Sequence, residues 1–201
     1  MKKILMALVT LLALASVASA QVPSPFSLYA GGLVSMPQGP SSFKDGYKNG
    51  WHGTVGLGWK FMPNFQAVAK AELHSFGFDY EQSGLATSNP NLAGGSNRVM
   101  MFGLDGRFSL GVPAAPFKPF ALGGFGMAKV DQTEFSGDVL ATSMNASSFD
   151  PQTKGYWNIG AGFELKGSPL FGFFAQIRYV SIATDGEPEK FVPITLGLKF
   201  F

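Results

Sequence analysis

The chain has 201 residues, 26 of them glycine and 20 phenylalanine, with 14% charged side chains and no cysteine. The missing cysteine excludes disulfides and a lipid-modified N-terminal cysteine, and no concentrated basic face is present to bind nucleic acid. The length suits one domain of ordinary size.

The first twenty residues read as a leader. Met1-Lys2-Lys3 is a basic start, Ile4 to Val17 is apolar, and Ala18-Ser19-Ala20 precedes Gln21 as an A-x-A cleavage site. The apolar run is too short for a retained membrane anchor. Residues 1–20 are therefore expected to be a cleaved Sec-type signal peptide, and residues 21–201 the mature domain. Loss of Lys2 and Lys3 leaves 13 basic against 13 acidic side chains, so the formal charge of +2 belongs to the leader.

Eight segments with a period of two follow, the pattern of strands with one apolar face. Residues 26–36 place Phe26, Leu28, Ala30, Gly32, Val34 and Met36 on one side. Residues 51–61 set Trp51, Val55, Leu57, Trp59 and Phe61 against His52, Thr54, Gly56 and Lys60. Residues 65–78 set Ala67, Ala69, Ala71 and Leu73 against Gln66, Lys70, Glu72 and His74. Residues 98–110 set Met100, Phe102, Leu104 and Phe108 against Gly103, Asp105 and Arg107. The fifth segment, 117–130, is so glycine-rich that its phase is open. Residues 156–166 set Trp157, Ile159, Phe163 and Leu165 against Asn158, Glu164 and Lys166, and residues 171–182 set Phe173, Ala175, Ile177 and Tyr179 against Gln176 and Arg178. These segments are longer than the strands of ordinary soluble sheets and suit tilted strands that cross a bilayer.

The connections carry a second signal. They alternate in length: 37–50 long, 62–64 short, 79–97 long, 111–116 short, 131–155 long, 167–170 short, and 183–190 intermediate. Short periplasmic turns and longer extracellular loops are the habit of outer-membrane barrels. An even strand number with a long loop first places both termini in the periplasm. A soluble β-sandwich, the other fold considered, has no reason to keep this alternation, and it would bury Trp59, Phe108, Trp157 and Phe200.

The final segment runs to the last residue. Val192, Ile194, Leu196, Leu198 and Phe200 alternate with Pro193, Thr195, Gly197 and Lys199, and the chain ends Phe200-Phe201. This resembles the closing strand of bacterial outer-membrane β-barrels. The resemblance implies pairing with the first strand and recognition by the barrel-assembly machinery. Phe200 keeps the alternation and Phe201 leaves it, so which of the two acts as the assembly signal is open. The fold expected is all-β: one eight-stranded antiparallel up-and-down transmembrane barrel. Trp51, Trp59, Phe61, Phe108, Trp157, Phe163 and Phe200 would form its aromatic girdles against outer-membrane lipid and lipopolysaccharide. Basic residues beside them at the strand ends, among them Lys60, Arg107, Lys166 and Lys199, would reach water or lipid phosphate.

An eight-stranded barrel is just wide enough for side chains to fill. The inward charged and polar set, Lys70, Glu72, Asp105, Arg107, Glu164, Gln176 and Arg178, mixes signs, so its members can neutralise one another. This is similar to the interior of OmpA- and OmpX-type barrels and implies a plug. The first alternative is a narrow channel for small or apolar solutes, as in OmpW-type barrels. The second is a lipid-modifying enzyme, since some small barrels are enzymes. Only His52 and His74 could serve as a catalytic base, and a turn at 62–64 would pair them across neighbouring strands. Catalysis would need a serine beside them and a lipid-accessible cleft. A metal site would need a third ligand, and no cofactor is implied. The loops 131–155 and 183–190 are polar and mildly acidic, suited to contact with the outside, with no ligand legible. Asn145-Ala-Ser147 matches a glycosylation acceptor by pattern alone. The function expected is a non-enzymatic structural or surface-interaction barrel.

Overall fold

The computed structural model describes residues 24–79, 95–110, 116–132 and 152–201. They form eight strands: β1 (Phe26–Gly39), β2 (Gly50–Met62), β3 (Phe65–Phe76), β4 (Asn97–Ser109), β5 (Phe117–Gln132), β6 (Gln152–Lys166), β7 (Phe171–Ile182) and β8 (Glu189–Phe200). One short helix, α1 (Ser41–Gly46), lies between β1 and β2. Every strand pairs antiparallel with its neighbours in sequence, and β8 closes on β1. Closure leaves no strand edge unpaired, which a chain in hydrocarbon requires because lipid cannot hydrogen-bond a free N–H or C=O. No helix among the described residues is long and apolar enough to cross a membrane. The leader (1–20) and the Asn145 acceptor lie outside the described residues.

The alternation read from the sequence is the alternation of the barrel wall. Trp51, Trp59, Phe102, Phe125, Trp157, Ile159 and Leu196 are all more than half exposed, as the lipid side of a barrel must be. Between them the inward positions His52, Met101, Tyr156, Asn158 and Thr195 are buried. The phase of β5, open from sequence, is now fixed by Phe120, Leu122 and Ala128, which are buried, whereas Phe125 is 67% exposed. Glycine hid this phase for a physical reason: inward Gly124 and Gly126 exist to leave room. A Cβ at Gly124 would run into the Asp105 carboxylate, and one at Gly126 into the Tyr156 ring.

Two features were not legible beforehand. β1 runs on to Gly39, because pairing with β8 continues through Pro37↔Phe191. The first loop then folds as α1, with the Pro40 carbonyl accepting from the N–H groups of Phe43 and Lys44. This helix turns Phe43 into the barrel mouth, where it is buried against Phe76 with ring centroids 5.1 Å apart.

Candidate functional site: a sealed, charge-paired lumen

The barrel has two ends. One, the turn end, carries the 63–64 turn, the 167–170 turn, Ser24 and Phe201; the other, the loop end, carries α1 and the 183–188 connection. Four layers fill the lumen between them.

Beneath the loop end is an apolar plug. Phe43, Phe76, Val99, Met101, Ala128, Tyr156, Val180, Ile182 and Phe191 form one buried cluster. The expectation of a polar lumen is corrected here: this part of the interior is hydrocarbon. The signal was available in the inward positions Phe76, Val99, Met101, Val180 and Ile182. Each sits at a strand end nearest a loop, where an apolar residue reads equally well as a broken alternation.

Below the plug lies the histidine layer. His52 and His74 are cross-strand partners, with rings stacked 5.0 Å apart at 15°. The Ser35 hydroxyl stands between them, 3.2 Å from Nδ1 of His52 and 2.8 Å from Nδ1 of His74. One hydroxyl has the single donor and two acceptor positions needed to satisfy both. His52 Nε2 is 3.0 Å from Thr195 Oγ1. A serine does therefore meet the two histidines, and sequence reasoning had not named it. Lipid does not reach it, because Ser35, His74 and Thr195 have no exposed surface and His52 is 3% exposed. Among the described residues, no group of three or more His, Cys, Asp or Glu could hold a metal ion.

The third layer is a belt of four charges that sum to zero. Arg178 grips Glu72 through both terminal nitrogens. Lys70 stands 3.3 Å from Glu72 and 2.8 Å from Asp105, and Asn158 donates to Asp105 over 2.9 Å. All five are buried. Each carboxylate is matched, which is the condition for keeping charges out of water.

The fourth layer, nearest the turn end, is built around Arg107. Its guanidinium donates to Glu164 (3.0 Å) and to Gln176 (2.7 Å) while packing 4.6 Å from the Tyr29 ring centroid and 4.2 Å from that of Phe120. Lys199 donates to the second Glu164 oxygen over 2.8 Å. Tyr29 donates to Gln66, which in turn donates to Ser27. The seven lumen residues named from sequence thus fall into two networks: Lys70, Glu72, Asp105 and Arg178 in one, Arg107, Glu164 and Gln176 in the other. Alternation reveals that a residue faces inward, but not which inward neighbours it meets across the lumen.

Residues 7–200 match the family model described as outer membrane protein beta-barrel domain. The chain belongs to that family. As a member it is a bacterial outer-membrane barrel, and its architecture is shared widely. It is similar to Neisserial surface protein A, at 13% identity over 90% of this chain and 99% of that one, with a TM-score of 0.60. It is similar to Ail, the attachment invasion locus protein of Yersinia pestis, at 17% identity over 89% of this chain and 99% of that one, with a TM-score of 0.53. A major outer membrane protein from Thermus thermophilus is similar at 9% identity, 87% and 97% coverage, and a TM-score of 0.55. No curated protein sequence matches. At these identities the likeness is one of fold.

Proposed function

We propose that this family member is a non-catalytic barrel with a closed lumen, acting as a structural or surface-interaction element of the outer membrane. The observation that carries this reading is the filled interior: an apolar plug, a polar layer and two charge networks leave no described layer open. In this reading the turn end and both termini face the periplasm, and the loops face outward. A concavity of about 550 Å³ between α1 and the 183–188 loop, edged by Tyr47, Asp185, Glu187 and Glu189, is where an outside partner would meet the barrel. Export uses the leader, assembly uses β8 through the barrel-assembly machinery, and the exposed aromatic wall contacts outer-membrane lipid and lipopolysaccharide.

The test is single-channel recording of the refolded protein in a planar bilayer. A silent wild type is expected. Steady wild-type conductance would move the assignment to the narrow, OmpW-type channel.

The Ser35–His74 contact is the one observation that favours an enzyme, and burial of all its atoms weighs against it. A fluorophosphonate probe decides between them. Labelling of Ser35 in the folded barrel would overturn the non-catalytic reading.

A further inference from the structure

Four lysines from four strands converge on the turn end. Lys60 (β2), Lys118 (β5), Lys166 (β6) and Lys199 (β8) all occupy lumen-side positions, paired with Gln66, Glu164, Gly172 and Tyr29 respectively. They line a single vestibule of about 580 Å³. The charges of Lys60, Lys199 and Lys166 all repel Lys118. The one carboxylate side chain lining the vestibule, Glu164, is already held by Arg107 at 3.0 Å and Lys199 at 2.8 Å. Among the described residues Glu164 is also the one acidic side chain at this end of the barrel: Glu72 and Asp105 lie in the central belt, and Asp45, Asp79, Asp131, Asp185, Glu187 and Glu189 lie on the loop side. A chain that is neutral overall after loss of its leader is therefore strongly polarised.

This arrangement is not explained by barrel closure. Strand pairing needs no charge here, and Lys60, Lys118 and Lys166 form no ion pair among the described residues. Like charges lining one concavity focus the field and concentrate counter-ions. Ammonium groups on flexible stems suit phosphate oxygens. The vestibule is also a dead end, since its floor is Arg107 packed between Tyr29 and Phe120. An anion that enters can bind but not pass. Phe26, Phe61, Phe173 and Phe201 on the walls offer apolar surface for the organic part of such a ligand.

We propose that this vestibule binds a multivalent phosphate-type anion, supplied as a soluble phosphate ester or as the headgroup of an anionic phospholipid. That the supply is periplasmic rests on the orientation proposed above; the binding test does not.

The test is titration of the refolded protein in zwitterionic micelles with inorganic pyrophosphate, followed by amide NMR. Saturable shifts are expected at Gln66, Lys118 and Glu164, with affinity falling as salt rises. The Lys118→Gln/Lys166→Gln variant breaks no ion pair, so its barrel should fold, as heat-modifiable gel mobility will verify. It should bind at least about tenfold more weakly. Lys154→Gln at the loop end should bind as wild type does. Absence of saturable shifts, or equal affinity in the double variant, overturns the proposal. Repeating the titration in nanodiscs assigns the source. Competition by added cardiolipin, whose headgroup carries two phosphates, over phosphatidylcholine alone makes the occupant a lipid headgroup, and indifference to it makes the occupant a soluble anion.

Discussion

Arg178 and Glu72, 106 residues apart in sequence, form a two-pronged ion pair with no exposed surface on either side chain. Their Cα atoms lie on strands that are not neighbours in the sheet, so the pair spans the lumen and ties β3 to β7. Everything else in the belt is arranged around it. Lys70 takes up the remaining charge of Glu72, and Asp105 that of Lys70.

The first prediction concerns this pair. Glu72→Ala strands Arg178 and Lys70 with only Asp105, and Arg178→Ala leaves two carboxylates to one lysine. Each single change should cost roughly 3–5 kcal/mol, because an uncompensated buried charge remains. Glu72→Ala/Arg178→Ala should cost less than the two single losses added together. Urea unfolding in micelles, read as a double-mutant cycle, measures this; strict additivity would contradict the pairing.

The plug makes a second prediction, about conduction. Phe43→Ala alone should stay silent in planar bilayers, since the belt below it remains closed. Glu72→Ala or Arg178→Ala combined with Phe43→Ala should stay silent too, because the Arg107 layer still closes the turn end, and adding Arg107→Ala to either pair should open conduction. Conductance in Phe43→Ala by itself would mean that the belt is no barrier and that α1 is the seal.

Gly103 supplies a third. A Cβ there would overlap the Tyr156 hydroxyl, which has no hydrogen-bond partner among the described residues. Gly103→Ala should destabilise by about 1–3 kcal/mol through overpacking. Tyr156→Phe should be nearly neutral alone and should recover part of that loss. Recovery would be partial because the new methyl also crowds the Phe125 carbonyl, at 2.6 Å. A wild-type unfolding midpoint for Gly103→Ala would refute the close approach.

Ser35 gives the fourth. Its removal leaves two buried imidazole Nδ1 atoms without their hydroxyl, so Ser35→Ala should cost about 1–3 kcal/mol. Ser35→Thr should be worse than a conservative exchange suggests, because Ser35 is fully buried and an added methyl group would have to be packed among its neighbours. Chemical unfolding reads both. Unchanged stability in Ser35→Ala would show the contact to be incidental.

Much of this molecule is written locally. Period-two alternation from Trp51 to Phe61 and from Val192 to Phe200 specifies strands with a lipid side, because a strand's side chains must alternate whatever it packs against. The rhythm of long and short connections specifies an up-and-down order, and pairing of His52 with His74 follows from the three-residue connection read at 62–64; the structure reaches the same register with a tight turn at Pro63 and Asn64 and a one-residue shift between Lys60 and Met62. What alternation cannot encode is the third dimension of the lumen. Arg178 meets Glu72 and not Glu164, Ser35 reaches both histidines, and Phe43 drops from α1 onto Phe76, only once closure has set the stagger of all eight strands. The gathering of Lys60, Lys118, Lys166 and Lys199 in one vestibule has the same origin. Each lysine alone reads as an ordinary solvated strand end. Only the curvature of the closed barrel turns four separate ends toward one axis, where their charges add.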